Sequence, residues 1–366
     1  MIIRSKAPLR LGLAGGGSDV SPYSDLYGGN VLNATINLAA YCSIEPLNRP
    51  VMKVNAADAG IREEVSLGTG PVNSGALLID GVYNRVIRDF GPIPAPGFAI
   101  TTYNDAPAGS GLGTSSTMVV CILKCFAEWM GLPLGDYELA RLSYEIERKD
   151  LLLAGGKQDQ YAAAFGGFNF MEFLPSDLVI VNPLKVRDWI IQELEASLLL
   201  YFTGRSRESA AIIEKQQQAA RSGSSVAIEA MHRIRQSAVD MKLALLQGDM
   251  DTFARIMGQA WEDKKKMADT ITNPMIQEAF DVAMNAGAIS GKVSGAGGGG
   301  FIMLMVPPVR KYQITRPCPN CPAKWFLSSL PIKVPSHGSY SPCRRPGHPS
   351  SFRRPRNSQM PCADLR

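Results

Sequence analysis

Glu147 and Asp159 stand twelve residues apart, separated by the turn Ala154-Gly155-Gly156-Lys157-Gln158. That spacing lets one carboxylate reach a divalent cation while the other faces an acceptor hydroxyl, the two tasks phosphoryl transfer asks of side chains. Each acid alone is of a type usually solvated at a surface; the glycine turn and Lys157 single out Asp159. Three glycine-rich loops, residues 12–17, 109–113 and 295–300, hold 12 of the 35 glycines in 17 positions. Such clustering suggests backbone amides brought close to a ligand, because glycine has no Cβ to keep it away.

The second loop is the most informative. Pro107-Ala108-Gly109-Ser110-Gly111-Leu112-Gly113-Thr114-Ser115-Ser116 runs directly into the apolar stretch 118–130. Glycines and hydroxyls therefore fall where a helix begins, and the unpaired amides and helix dipole there attract phosphate. The plain alternative is an N-cap after a glycine turn. Two other phosphate motifs fail. Gly287-Ala288-Ile289-Ser290-Gly291-Lys292-Val293 is one residue short of a Walker A loop and lacks its Ser or Thr. Gly295-x-Gly297-x-x-Gly300 fits the dinucleotide pattern, but it leads into a short β-prone run closed by prolines, where that fold needs a helix.

The elements that must position these groups alternate through residues 1–306 in the manner of an α/β or α+β enzyme. Strands are expected over 31–47 and 98–103, and helices over 115–130, 136–149 and 224–246. A second region is expected from Pro175, with new strands at 178–181 and 197–202 and mainly helix over 206–288. The pattern breaks at Pro307. Of the last 60 residues 12 are proline, which excludes a long helix or central strand; disorder is expected there.

The 366 residues, 45% of them hydrophobic, suffice for two cored domains. No run approaches the roughly 18 apolar residues of a membrane span, and the first ten residues lack a signal-peptide core, so the cytoplasm is the expected compartment. The net charge of +5 conceals a tail of +10 over 307–366 and a body of −5 over 1–306. A mildly acidic body argues against a nucleic-acid surface. Cys121 and Cys125 read as ordinary buried thiols. The run Lys264-Lys265-Lys266 reads as an exposed helix face.

Together these segments resemble the three signature motifs of GHMP kinases. The second loop is similar to P-x-x-x-G-L-G-S-S, with Thr114 for the first serine; Lys6-Ala7-Pro8-Leu9-Arg10 through Asp19 resembles motif one, and residues 292–300 motif three. The resemblance implies an α+β, two-domain GHMP kinase fold: a ribosomal protein S5 domain 2-like N-terminal domain over 1–174, an incomplete ferredoxin-like C-terminal domain over 175–306, and an atypical tail over 307–366. It implies ATP held by Pro107 and residues 109–116, Mg²⁺ by Ser115 and Glu147, Asp159 as catalytic base and Arg10 as its cationic neighbour. An arginine there could stabilise charge developing on the phosphoryl group. Gly16, Gly17, Ser18, Asp19, Gly297 and Gly298 are implied on the acceptor side, with Asp19 gripping sugar hydroxyls.

Galactokinases carry Glu-His where this chain has Gly16-Gly17, which argues against galactose. Ala14-Gly15-Gly16-Gly17-Ser18-Asp19 instead resembles the A-G-G-G-[ST]-D of D-glycero-α-D-manno-heptose 7-phosphate kinases and of the kinase half of bifunctional fucokinases. The short chain favours the heptose enzymes, which phosphorylate the anomeric 1-hydroxyl; an L-fucokinase-like or other sugar 1-kinase, or a silent sugar-binding protein, is the alternative. A phosphorylated acceptor needs a cation, and Thr203-Gly204-Arg205-Ser206-Arg207 resembles the family's T-G-x-x-R turn, making Arg207 or Arg205 the expected clamp. The expected partner is thus a small sugar or sugar phosphate, with neither nucleic acid nor membrane, and the oligomeric state is left open. Residues 309–366 resemble no part of the family and have the composition of a shifted reading frame; Cys318, Cys321, Cys343 and His348 as a zinc site is the weaker reading.

Overall fold

Leu9, Leu11 and Leu13 alternate along one strand and are all fully buried, while Arg10 between them points to the opposite face. This period-2 pattern fixes the strand that carries the site. The computed structural model describes residues 1–204, 209–221 and 224–315. In order the elements are β1 (Ile3–Ala14), α1 (Tyr23–Tyr27), β2 (Gly29–Leu47), β3 (Val51–Ala56), β4 (Ile61–Ser66), α2 (Leu77–Phe90), β5 (Gly97–Asn104), α3 (Thr114–Met130), α4 (Asp136–Glu145), α5 (Gln158–Phe165), β6 (Phe168–Phe173) and β7 (Val179–Pro183). They continue with α6 (Asp188–Ser197), β8 (Leu198–Phe202), α7 (Ser209–Arg221), α8 (Ser225–Gln247), α9 (Met250–Lys265), α10 (Pro274–Asn285), β9 (Ser290–Val293), β10 (Phe301–Met305) and α11 (Pro308–Thr315).

Seven strands form the larger sheet, in the order β4-β3-β5-β2-β6-β7, with β1 paired antiparallel to β2. The smaller sheet is β8-β10-β9, antiparallel throughout. The helices α2 and α3 cover one face of the large sheet, where Phe98, Phe126 and Trp129 pack together. On the other face, Leu9, Leu11, Leu13 and Phe170 share a core with Met241, Phe253, Met257 and Met303, so the two sheets are joined by continuous apolar packing.

The α+β class and both long strands agree with the sequence reading; the larger sheet runs past Pro175, where the second region was expected to begin. The strand Val179–Pro183 pairs antiparallel with β6 through a tight turn at Asp177, whose φ is 62°, and so closes the larger sheet. The smaller sheet opens at Leu198. The expectation of disorder from 307 is corrected for its first residues. Pro308 opens α11, as its fixed φ permits, Ile314 is buried, and Lys311 Nζ donates to the carbonyls of Glu195, Ala196 and Leu198 at 3.0–3.2 Å. Cys318, Cys321, Cys343 and His348 lie outside the described residues. Among the described residues no helix is long and apolar enough to cross a membrane.

Candidate active site

The turn between β5 and α3 stacks on the turn between β9 and β10. Its glycines Gly109, Gly111 and Gly113 have φ of 71°, 80° and 77°, a region open to glycine but not to most side chains. A Cβ on Gly111 would lie 2.5 Å from the carbonyl oxygen of Ser294, and one on Gly113 would lie 3.1 Å from the Asp159 carboxylate. The Phe301 amide donates to Ser110 O at 2.9 Å, and Ser294 Oγ to Gly111 O at 2.7 Å. The glycines were expected to make room for a ligand. At Gly111 the close neighbour is the other glycine loop, and at Gly113 it is Asp159.

Arg10 Nε donates to Asp159 Oδ1 at 2.7 Å, Nη2 approaches the same oxygen at 2.6 Å, and Nη1 donates to Gly111 O at 2.7 Å. The guanidinium thus ties β1, α5 and the glycine loop together. Glu147, 1% exposed, is turned inward by a π-helical turn over Ile146–Asp150 after α4, a local irregularity often found at functional sites. Ser115 Oγ donates to its Oε1 at 2.9 Å, and Gln160 Nε2 reaches its Oε2 and, at 3.1 Å, Ser116 Oγ. This pair of hard oxygens suits Mg²⁺, which takes one or two carboxylates and completes its shell with phosphate and water. Among the described residues no three His, Cys, Asp or Glu form an all-protein metal cage.

Asp19 is 1% exposed and fully engaged by protein donors. Its Oδ1 accepts from the Gly17 amide at 3.0 Å and Gln158 Nε2 at 3.1 Å; its Oδ2 accepts from the Lys157 and Gln158 amides, each at 3.0 Å. The carboxylate expected to grip sugar hydroxyls therefore caps α5, the helix that carries Asp159.

These groups line one cavity of about 260 Å³. Its wall includes Arg10, Gly16, Gly17, Asp19, Gly109, Gly111, Gly113, Thr114, Ser115, Ser116, Glu147 and Asp159. Several expected residues are elsewhere. Ser18 is buried between Gly15 O and Asn30, Leu112 is in the apolar core, and Pro107 and Ser110 are off the cavity wall. Gly297 and Gly298 pack on Ile271, with the Gly298 amide 2.7 Å from Ile271 O, so Gly295 and Ala296 line the cavity in their place. Arg205 and Arg207 lie outside the described residues.

The sequence reading missed Arg148, Gln216 and Lys264, which also line the cavity. Lys264 corrects the expectation of an exposed lysine face: it is 5% exposed and donates to Gly295 O at 2.6 Å. The signal was present, since Met257, Ala260, Trp261 and Lys264 repeat at the spacing of one buried helix stripe. Burial pushes the Lys264 amine down to about 8, with nearby Asp19 opposing and Arg10 adding to the shift. Lys292, donating to Gly12 O and Leu13 O at 2.8 and 3.2 Å, is lowered further by burial and by the charges of Lys264 and Arg10.

Comparison with known proteins fits this geometry. Residues 77–167 match the profile of the GHMP kinases N terminal domain, and residues 241–320 that of the GHMP kinases C terminal region. The chain is 46% identical over 315 residues to the D-glycero-alpha-D-manno-heptose 7-phosphate kinase of Campylobacter jejuni, covering 86% of this chain and 92% of the relative. It is 28% identical to the L-fucokinase/L-fucose-1-P guanylyltransferase of Bacteroides fragilis, of whose length it spans 38%. Among solved structures, a D-glycero-D-manno-heptose 1-phosphate kinase from Bacteroides thetaiotaomicron superposes with a TM-score of 0.72 at 60% identity, covering 86% of this chain and 92% of that one.

Proposed function

Because this chain belongs to the GHMP kinase family, we propose that it transfers the γ-phosphoryl of ATP to the anomeric 1-hydroxyl of D-glycero-α-D-manno-heptose 7-phosphate. The observation that carries the reading is the convergence of the Arg10–Asp159 pair and the Ser115–Glu147 pair on one cavity beside the glycine loop at the start of α3. The relative named for this acceptor shares 46% of its residues across nearly its whole length.

In this reading the amides of 109–116 hold the triphosphate, using the partial positive charge of a helix N-terminus. Ser115 and Glu147 hold Mg²⁺, which when bound neutralises charge on the phosphates. Both Arg10 contacts fall on Asp159 Oδ1, leaving Oδ2 for the proton of the acceptor hydroxyl. That hydroxyl oxygen forms its bond to the γ-phosphorus as the bond to the β-bridging oxygen breaks, giving ADP and the 1,7-bisphosphate. Arg10, at Asp159 and Gly111 together, stabilises charge on the phosphoryl oxygens during transfer. The larger sheet with its helices serves as the nucleotide domain and the smaller sheet with α7–α10 closes the acceptor side. A reaction that draws on ATP fits a protein of the cytoplasm.

ADP release is to be measured with heptose 7-phosphate, fucose, galactose and mevalonate as acceptors. Turnover highest on heptose 7-phosphate supports the assignment. Preference for fucose would move it to the fucokinase branch, and no turnover on any sugar would reject it.

A further inference from the structure

The cavity contains a buried cation with hydrogen bonds to give. Lys264 comes from the end of α9 and lines the same cavity as Gly17, Asp19, Gln216, Gly295 and Ala296. Its ammonium has three N–H donors, and one is engaged, by Gly295 O at 2.6 Å. Among the described residues it makes no ion pair within 4.0 Å, whereas Lys265 and Lys266 beside it pair with Glu262 and Asp263.

The neighbours do not use up that capacity. Asp19, the closest candidate, already accepts four hydrogen bonds from Gly17, Lys157 and Gln158. Gln216 Nε2 is turned to Ala296 O at 3.4 Å. Arg10 is engaged by Asp159 and Gly111. An ammonium held out of water without an anion is unfavourable unless a ligand supplies one. The phosphates of ATP have their own cradle at the start of α3, so the anion due at Lys264 is one the acceptor carries.

We propose that Lys264 is the specificity-determining residue that grips the phosphate group of a phosphorylated sugar acceptor, a role that rests on the sugar-phosphate kinase reading above. It selects the phosphorylated sugar over the same sugar without phosphate, and does so from the buried helix stripe of α9.

Lys264→Met and Lys264→Arg are compared with the wild-type chain using D-glycero-D-manno-heptose 7-phosphate and the unphosphorylated heptose, at saturating ATP. A charged hydrogen bond lost from a buried site predicts a KM for the 7-phosphate raised roughly ten- to hundredfold in Lys264→Met. The KM for the 7-phosphate rises far more than the KM for ATP or for the unphosphorylated sugar, and Lys264→Arg recovers part of the loss. Equal loss on both acceptors, falling on kcat, overturns the proposal and assigns the amine to the phosphoryl group in transfer. Binding of heptose 7-phosphate without ATP, read by calorimetry, separates this proposal from the function. A wild-type chain that binds the sugar phosphate but transfers nothing counts against the function alone, and the ratio of Kd values still decides Lys264. Equal Kd in wild type and Lys264→Met, or binding by neither, overturns it.

Discussion

Arg10 places two of its nitrogens on a single oxygen of Asp159, at 2.7 and 2.6 Å, and its third on the carbonyl of Gly111. The other carboxylate oxygen faces the Cα of Gly113, where a methyl group would approach to 3.1 Å. One oxygen of the carboxylate is thus fixed and the other kept open. Asp159→Asn is expected to lower kcat by about 10²–10⁴, the usual range for losing a positioned general base. ATP affinity by calorimetry should stay within about threefold, and an unchanged kcat would remove the assignment.

Asp19 accepts from the first amides of the helix that carries Asp159, so its effect on the proposed reaction is expected to run through that helix. Asp19→Asn keeps one acceptor oxygen and turns the other into a donor facing two backbone amides, those of Lys157 and Gln158, or facing the Gly17 amide with the Gln158 side chain. The expected cost is about 1–3 kcal/mol of stability, seen as a lower Tm. Because α5 also carries Asp159, kcat should fall more than the KM for the sugar rises. A large KM effect with unchanged Tm would instead show direct contact with the acceptor.

Glu147→Gln and Ser115→Ala test the metal position. Each removes one of two adjoining hard-oxygen groups, and the carboxylate carries the charge. Titrating activity with Mg²⁺ at fixed ATP should show the apparent metal requirement rising about tenfold or more in Glu147→Gln and less in Ser115→Ala. Equal Mg²⁺ curves for all three proteins would exclude the site.

Lys264 makes stability depend on pH in the alkaline range. Its amine is pushed down to about 8 in the fold by burial, against an ordinary value of 10.5. Below about 8 both states are protonated and the folded chain bears the whole desolvation penalty. Between about 8 and 10.5 the unfolded chain binds the proton more than the folded one, so wild-type stability rises with pH. Without ligand, Lys264→Met should therefore be more stable than wild type at pH 7, by on the order of 1–3 kcal/mol. That advantage should fade as pH rises through the window, and thermal melts of both proteins at pH 7 and 10 measure it. A variant less stable at pH 7 would show that the bond to Gly295 outweighs burial.

Local patterning made much of this site legible in advance. A glycine-hydroxyl loop before an apolar run does mark the start of α3, and Glu147 and Asp159 do reach one cavity from either side of their glycine turn. What sequence order hides is contact made across the chain. The pairing of Val179–Pro183 with β6 depends on a hairpin within the first sheet, which the order of strands along the chain does not reveal. Ser18 and Gly298 lie inside matching motifs yet bond to Asn30 and Ile271, which no motif includes. Lys264 was set aside because three lysines in a row suggest solvent, while the stripe to which it belongs depends on the apolar residues one and two turns earlier.

The stacked glycine turns bear on how the molecule is built. Ser110 O, Gly111 O and the Cα of Gly111 are braced by Phe301, Ser294 and Gly295, which come more than 180 residues later in the chain. During synthesis, then, the glycine loop before α3 stays unsupported until nearly all of the described fold has emerged. A chain cut short before Ser294 should lose its grip on ATP as well as on the sugar, even with every residue of the first sheet intact.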